Sequence, residues 1–113
     1  VLRAPLSVAA AVDPEEALVA ALSSCHMLFA LSLLSKHGAV VESYEDAAEG
    51  VMEKRADGKT ALTRVTLKPV ITVSANAPDA ATFAQIHHDA HEECYIANSV
   101  NFPVLIEPQL VVR

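Results

Sequence analysis

Nineteen consecutive residues without a formal charge, Ala17 to Ser35, constrain this chain more than any other feature. Ahead of them stands Asp13-Pro14-Glu15-Glu16, a complete helix start: Asp13 caps, Pro14 suits the first helical position, and Glu16 completes a capping-box-like pattern. Acids in the first turn suit the helix dipole, and Gly38 supplies the left-handed residue that ends many helices. The predicted helix, from about Pro14 to His37, is apolar or small on every side. It therefore needs cover all round, from a sheet on one face and from another helix or a second subunit on the rest. Four Ser, a Cys and a His within the stretch argue for a core helix over a membrane span. No basic region precedes it, which argues against a signal peptide.

The remaining pattern is that of a small globular domain of 113 residues, read as one unit over 1–113. A net charge of −6 excludes the electrostatic footprint of a nucleic-acid-binding surface and leaves nothing basic to hold an anionic membrane. Residues 1–12 read as an irregular or edge strand around Pro5. Ala39 to Lys54 favours strand, with Gly50 as a bulge, and Asp57-Gly58 predicts a hairpin turn of the primed type. In the returning strand Val65, Leu67, Pro69, Ile71 and Val73 alternate with polar residues, and Pro69 places it at an edge or bulge. A second helix follows Asn76-Ala77-Pro78-Asp79, and Phe102 to Val112 forms a last strand interrupted by Pro103 and Pro108. This order predicts an α+β fold, two helices packed on an antiparallel sheet.

Two cysteines are too few for a disulfide scaffold and agree with a reducing cytoplasm. Cys25 lies mid-helix, where the plain reading is a buried structural thiol. The second helix, however, places Phe83, Ile86, His87, Ala90, His91 and Cys94 on one stripe, with Gln85, His88, Asp89 and Glu92 on the other. If the stripes of the two helices face each other, the thiols meet in one partly buried site and form a redox pair. In that chemistry a Cys25 thiolate attacks a peroxide, becomes sulfenic acid and condenses with Cys94. Burial raises a thiol pKa, so the site needs a compensating cation, with Arg3, Arg64, His26, His87 and His91 as candidates.

The run from Asp13 through Glu16 to Ser23-Ser24-Cys25 resembles the signature helix of the OsmC/Ohr superfamily, the osmotically induced and organic hydroperoxide resistance proteins. Cys94-Tyr95-Ile96-Ala97-Asn98-Ser99 resembles that family's second-cysteine motif. The resemblance spans about residue 8 to the end, and Ser23 to Leu28 with His87-His88, Ala90-His91-Glu92 and Cys94 to Val100 is similar to the branch known only as OsmC family proteins. It implies an OsmC-like domain, an intertwined homodimer with sites at the interface, and a cytoplasmic thiol peroxidase that needs no cofactor or metal. Its substrate would be an organic hydroperoxide or H₂O₂, and an external dithiol would be the reductant. By the resemblance Cys25 is the peroxidatic cysteine, Cys94 the resolving one, and Glu15 the glutamate that pairs with an active-site arginine. The family's arginine lies in N-terminal strands that this chain largely lacks, so Arg3 is its candidate by elimination. Glu15 is ten residues from Cys25, about 15 Å along a straight helix, so the pair reaches the thiol only if the helix begins later or across a dimer interface.

Two other readings stay open. One is a non-catalytic OsmC-like dimer that binds a small ligand. The other is a zinc site built from His87, His91 and Cys94, with Cys25 able to complete a tetrahedron. His26 projects about 100° away from Cys25 and is expected to pack or hydrogen-bond elsewhere. His87 and His91 are expected to hydrogen-bond within a dimer interface, and Glu45-Asp46 and Glu92-Glu93 to be solvated.

Overall fold

The computed structural model describes residues 13–113, so the expected first strand and Arg3 lie outside the described residues. Helix α1 runs Pro14–His37, with both predicted ends in place. The Asp13 carboxylate accepts the Glu16 N–H at 2.8 Å, and Gly38 at φ 92° donates its N–H to the carbonyls of Leu34 and Ser35. Leu22, His26, Ala30 and Leu34, spaced four apart, form its buried stripe. Leu28 on another face remains 63% exposed, so the described residues alone do not supply the all-round cover such a helix needs. By length and composition α1 could cross a membrane; here its stripe is packed on sheet.

After α1 the chain forms a long hairpin broken near its middle. One arm is β1 (Val40–Asp46) followed by β2 (Glu49–Lys54); the other is β3 (Thr60–Leu67) followed by β4 (Pro69–Ala75). β1 pairs antiparallel with β4, and β2 with β3. β5 (Val104–Ile106) and β6 (Gln109–Val112) then join β3 and β4 respectively, both in parallel. The expected antiparallel pairing thus holds within the hairpin, and the last strand divides at Pro108 into two that close different sheets. Among the described residues the result is two three-stranded sheets, ordered β1-β4-β6 and β2-β3-β5, with the β3–β4 arm central in both.

The break has a specific holder. Pro69 lacks an N–H and opens a strand, a position a central strand tolerates, so it marks neither an edge nor a bulge. Opposite it in register stands Asp46. One oxygen of Asp46 accepts the Lys68 N–H at 2.6 Å, and the other accepts the Ser23 hydroxyl of α1 at 2.5 Å. Asp46 is therefore half-buried and bonded at both oxygens, not solvated as its sequence context suggests.

Two further expectations change. Gly58 at φ 84° is the only residue of the hairpin loop with positive φ. Its N–H reaches the Arg55 carbonyl and the Arg55 N–H reaches the Lys59 carbonyl, which is a three-residue loop ending in a left-handed glycine and not a primed two-residue turn. The irregular step in β2 falls between Val51 and Met52, not at Gly50. Gly50 serves close approach instead: a Cβ there would lie 2.8 Å from Val19 Cγ2 of α1 and 3.0 Å from Leu62 Cδ2.

Helix α2, Ala80–Glu93, starts as expected, with the Asp79 carboxylate accepting the Thr82 N–H at 2.7 Å. Two apolar clusters hold the layers together. Leu34, Ile71, Val73, Phe83 and Ile86 join α1, β4 and α2, while Leu22, Val65, Leu67 and Val104 join α1, β3 and β5. Each buried Leu, Ile or Phe side chain stabilises the fold by about 1.5–3 kcal/mol before entropy is counted. A single helix of about 36 Å thus spans both clusters and carries its middle residues across the seam between the half-sheets.

Candidate active site

Cys25, near the middle of α1, is half-buried, and Cys94 is 1% exposed; both are free thiols. α2 stops one residue short of the expected stripe. Cys94 leaves the helix with extended angles, φ −65° and ψ 112°, and the chain turns into a short 3-10 segment, Ala97–Ser99. That turn aims successive backbone N–H groups at sulfur. The Ile96 and Tyr95 N–H groups lie where they favour the Cys25 thiolate, and Ala97 donates to Cys94 Sγ at 3.5 Å. The loop is itself tied down, since Asn98 Nδ2 donates to the Glu92 carbonyl at 2.9 Å and the Ser99 hydroxyl to the Tyr95 carbonyl at 2.7 Å. The Cys25 and Cys94 thiols lie near enough for each to shift the other's acidity, so the two predicted stripes do converge.

The two sulfurs are driven apart in acidity. Burial pushes the Cys25 thiol up, but the Ile96 N–H, the Cys94 thiol and the Tyr95 N–H together outweigh it and leave its pKa below the ordinary thiol value. Cys94 moves the other way. Burial is its main cause, opposed by the Ala97 N–H and reinforced by the hydrogen bond and the charge of Cys25. Backbone amides thus supply a stabilisation for which the sequence offered only side-chain cations. Around the sulfurs the surface is apolar. Phe29, one turn beyond Cys25, meets the Tyr95 ring edge-on at 5.3 Å, and Tyr95 and Leu28 are 71% and 63% exposed.

The other expected residues are placed elsewhere. Glu15 lies in the first turn of α1, about ten residues' rise from Cys25, and its Oε2 is buried without a hydrogen-bond partner among the described residues. It lines a groove of about 510 Å³ together with Asp13, Glu16, Ser23, Asp46 and Met52. His26 is buried and bonded away from the sulfurs: its Nε2 lies 2.9 Å from His87 Nδ1. His87 Nδ1 therefore has its partner within the same chain. Among the described residues no group of three or more His, Cys, Asp or Glu side chains is arranged to hold a metal ion, and His87, His91 and Cys94 do not gather. With His87 Nδ1 facing His26 and Cys94 facing Cys25, the zinc reading loses its ligand set.

Sequence reasoning missed two contributors. Asp46 gave a signal only in combination, as an acid placed opposite the one proline of the returning strand. The amides of Tyr95, Ile96 and Ala97 gave none, because a backbone donor has no residue identity.

The OsmC-like protein family matches residues 7–109. Among solved structures, an OsmC-like protein of unknown function from Vibrio cholerae is 51% identical, with TM-score 0.87, covering 93% of this chain and 69% of that one. The organic hydroperoxide resistance protein OsmC of Legionella pneumophila, a predicted redox protein, is 17% identical at TM-score 0.68, covering 90% and 71%. OhrB, the organic hydroperoxide resistance protein of Bacillus subtilis, is 19% identical at TM-score 0.64, covering 87% and 69%. The last two establish likeness of fold alone. No curated protein sequence matches. The match over nearly the whole sequence and the half-identical Vibrio structure agree with the helix signature and the second-cysteine motif: this chain belongs to the OsmC-like family.

Proposed function

We propose that this protein is a thiol peroxidase that reduces organic hydroperoxides or H₂O₂, with Cys25 as the peroxidatic cysteine and Cys94 as the resolving one. The observation that carries the reading is the convergence of two free thiols whose acidities are shifted in opposite directions, Cys25 down and Cys94 up, in the order the reaction requires. The Cys25 thiolate attacks the terminal peroxide oxygen; an S–O bond forms, the O–O bond breaks, and the alkoxide leaves and takes up a proton as the alcohol. Cys94 then attacks the Cys25 sulfenic acid, forming the disulfide and expelling water. An external dithiol reduces the disulfide and is itself oxidised. The apolar rim of Leu28, Phe29 and Tyr95 favours a peroxide with a hydrocarbon body over H₂O₂. The two organic hydroperoxide resistance proteins whose fold it shares point the same way.

The same reading makes residues 1–113 one OsmC-like domain that works as an intertwined cytoplasmic homodimer. The exposed flank of α1 around Leu28 supports a second copy as its cover. Glu15 is too far along α1 to touch its own Cys25. In the dimer it would orient an arginine, Arg3 in this chain, toward the partner's thiol, and the buried Glu15 Oε2 supports such a cation. No resident cofactor or metal enters the scheme.

The test is a thiol count and an intact mass before and after one equivalent of cumene hydroperoxide. Fast loss of both thiols with a mass decrease of about 2 Da is expected, the signature of disulfide formation. Cys25→Ser abolishes turnover, and Cys94→Ser permits one turnover and stalls as sulfenic acid. Survival of both thiols removes the peroxidase reading and leaves a ligand-binding dimer.

A further inference from the structure

His26 and His87 are the two buried polar side chains of the described core, 1% and 3% exposed. They make the one side-chain hydrogen bond between α1 and α2 among the described residues, 2.9 Å from His26 Nε2 to His87 Nδ1. The rings lie 18° from parallel at 5.2 Å, and Phe83 closes on His87 edge-first at 4.6 Å. As a feature of stability alone the pair is uneconomical. Two neutral imidazoles joined by one bond leave one N–H and one lone pair at their outer nitrogens, and both His26 Nδ1 and His87 Nε2 are buried without partners. Two packed apolar side chains would avoid that penalty.

What the pair supplies that apolar contact does not is direction. The Leu34, Phe83 and Ile86 contacts between the helices tolerate rotation and sliding, whereas one donor facing one acceptor accepts a single register, as a buried Asn does in a coiled coil. The register in question sets the thiols. His26 is covalently next to Cys25, and His87 precedes Cys94 by two helical turns on the same face. A slip of one turn, about 5.4 Å, would take Cys25 away from the Cys94 loop and from the amides of Tyr95 and Ile96.

We infer that His26 and His87 are positioning residues, a register pin between α1 and α2 that holds Cys25 against Cys94 and its amide-lined loop. The inference deepens the peroxidase reading, since the pin serves the disulfide-forming step of that same pair. Its test needs no peroxide. The pH dependence of iodoacetamide alkylation reports the Cys25 thiolate, and diamide, which removes two electrons and two protons from the dithiol, reports how fast the Cys25–Cys94 disulfide closes. H26L fills the volume without the bond, while H26Q keeps an N–H donor near the position of Nε2.

For H26L the thiol pKa is expected to rise toward the ordinary value, and disulfide closure by diamide to slow about tenfold or more, the scale of ångström misplacement. H26Q is expected to restore both to within about twofold of the parent. If H26L lowers the melting temperature yet leaves the alkylation profile and closure rate unchanged, the pair only stabilises, and the inference is overturned. If H26L does not fold, H87L puts the same question from α2; if neither folds, the pair is a folding element and the inference is likewise overturned. A parent protein whose thiols ignore cumene hydroperoxide but whose diamide closure depends on His26 would refute the peroxidase reading and leave the pin standing.

Discussion

Acid should unfold this protein through its histidine pair before its carboxylates take part. Burial, with the facing His91 as a second cause and Asp46 opposing, depresses His26 to about 4, and burial with the neighbouring His26 does the same to His87. A base whose folded pKa lies below its unfolded value binds fewer protons when folded. Its stability contribution is therefore complete above the unfolded value of about 6.5 and is lost as pH falls toward the folded one. Between pH 7 and 5.5 the loss integrates to about 1.2 kcal/mol for one ring and about 2.5 kcal/mol for two independent rings. Repulsion between the rings only lowers proton uptake by the folded state further, so the two-ring figure stands. Urea unfolding at pH 7.0, 6.25 and 5.5, at one protein concentration because any dimer adds mass action, measures it directly. A stability flat to within about 0.3 kcal/mol across that window would refute the placement of two neutral imidazoles in the core, as would a slope that H26Q leaves unchanged.

Two further substitutions test the frame that carries the site. D46A removes the acceptor for the Lys68 N–H and the Ser23 hydroxyl at the strand break, with an expected loss of about 1–3 kcal/mol in urea unfolding; a loss under about 0.3 kcal/mol would mean that the break is held by other contacts. G50A places a Cβ 2.8 Å from Val19 Cγ2, with an expected cost of about 1–3 kcal/mol, and V19A in the same chain should recover part of it; no coupling between the two would contradict the close approach of β2 to α1.

What the sequence made legible followed from local chemistry. The limits of α1 could be placed because cap, proline, acids and glycine all sit within a few residues of the ends they specify. The start of α2 at Asp79 was legible for the same reason. The meeting of Cys25 and Cys94 followed from helical spacing, because two apolar stripes in a chain this short have little choice but to face each other. Other features depended on residues distant in sequence. Nothing local in Phe102–Val112 indicates that its halves join different sheets, since that depends on where the long hairpin breaks, and the break depends on Asp46 meeting Lys68 across the ladder. Read locally, Gly50 suggests a bulge and Asp57-Gly58 a primed turn. The first is overridden by the approach of Val19, and the second by a loop one residue longer.

The same distinction explains how, among the described residues, Cys25 is acidified without a cation beside it. A search by residue type looks for Arg or His beside Cys25, and the neighbouring His26 is turned into α2, where burial depresses its pKa to about 4. The stabilisation of Cys25 comes instead from the chain direction after Cys94. Once that residue leaves the helix with extended angles, the next N–H groups are directed at the sulfurs whatever side chains they carry. Substitutions of Tyr95 that preserve the loop should therefore leave the Cys25 pKa low while altering the apolar rim, separating acidity from substrate preference. Y95S tests this. Its alkylation profile should match the parent, while its preference for cumene hydroperoxide over H₂O₂ falls; a Cys25 pKa that rises with Y95S would show that the ring, and not the backbone, holds the loop in place.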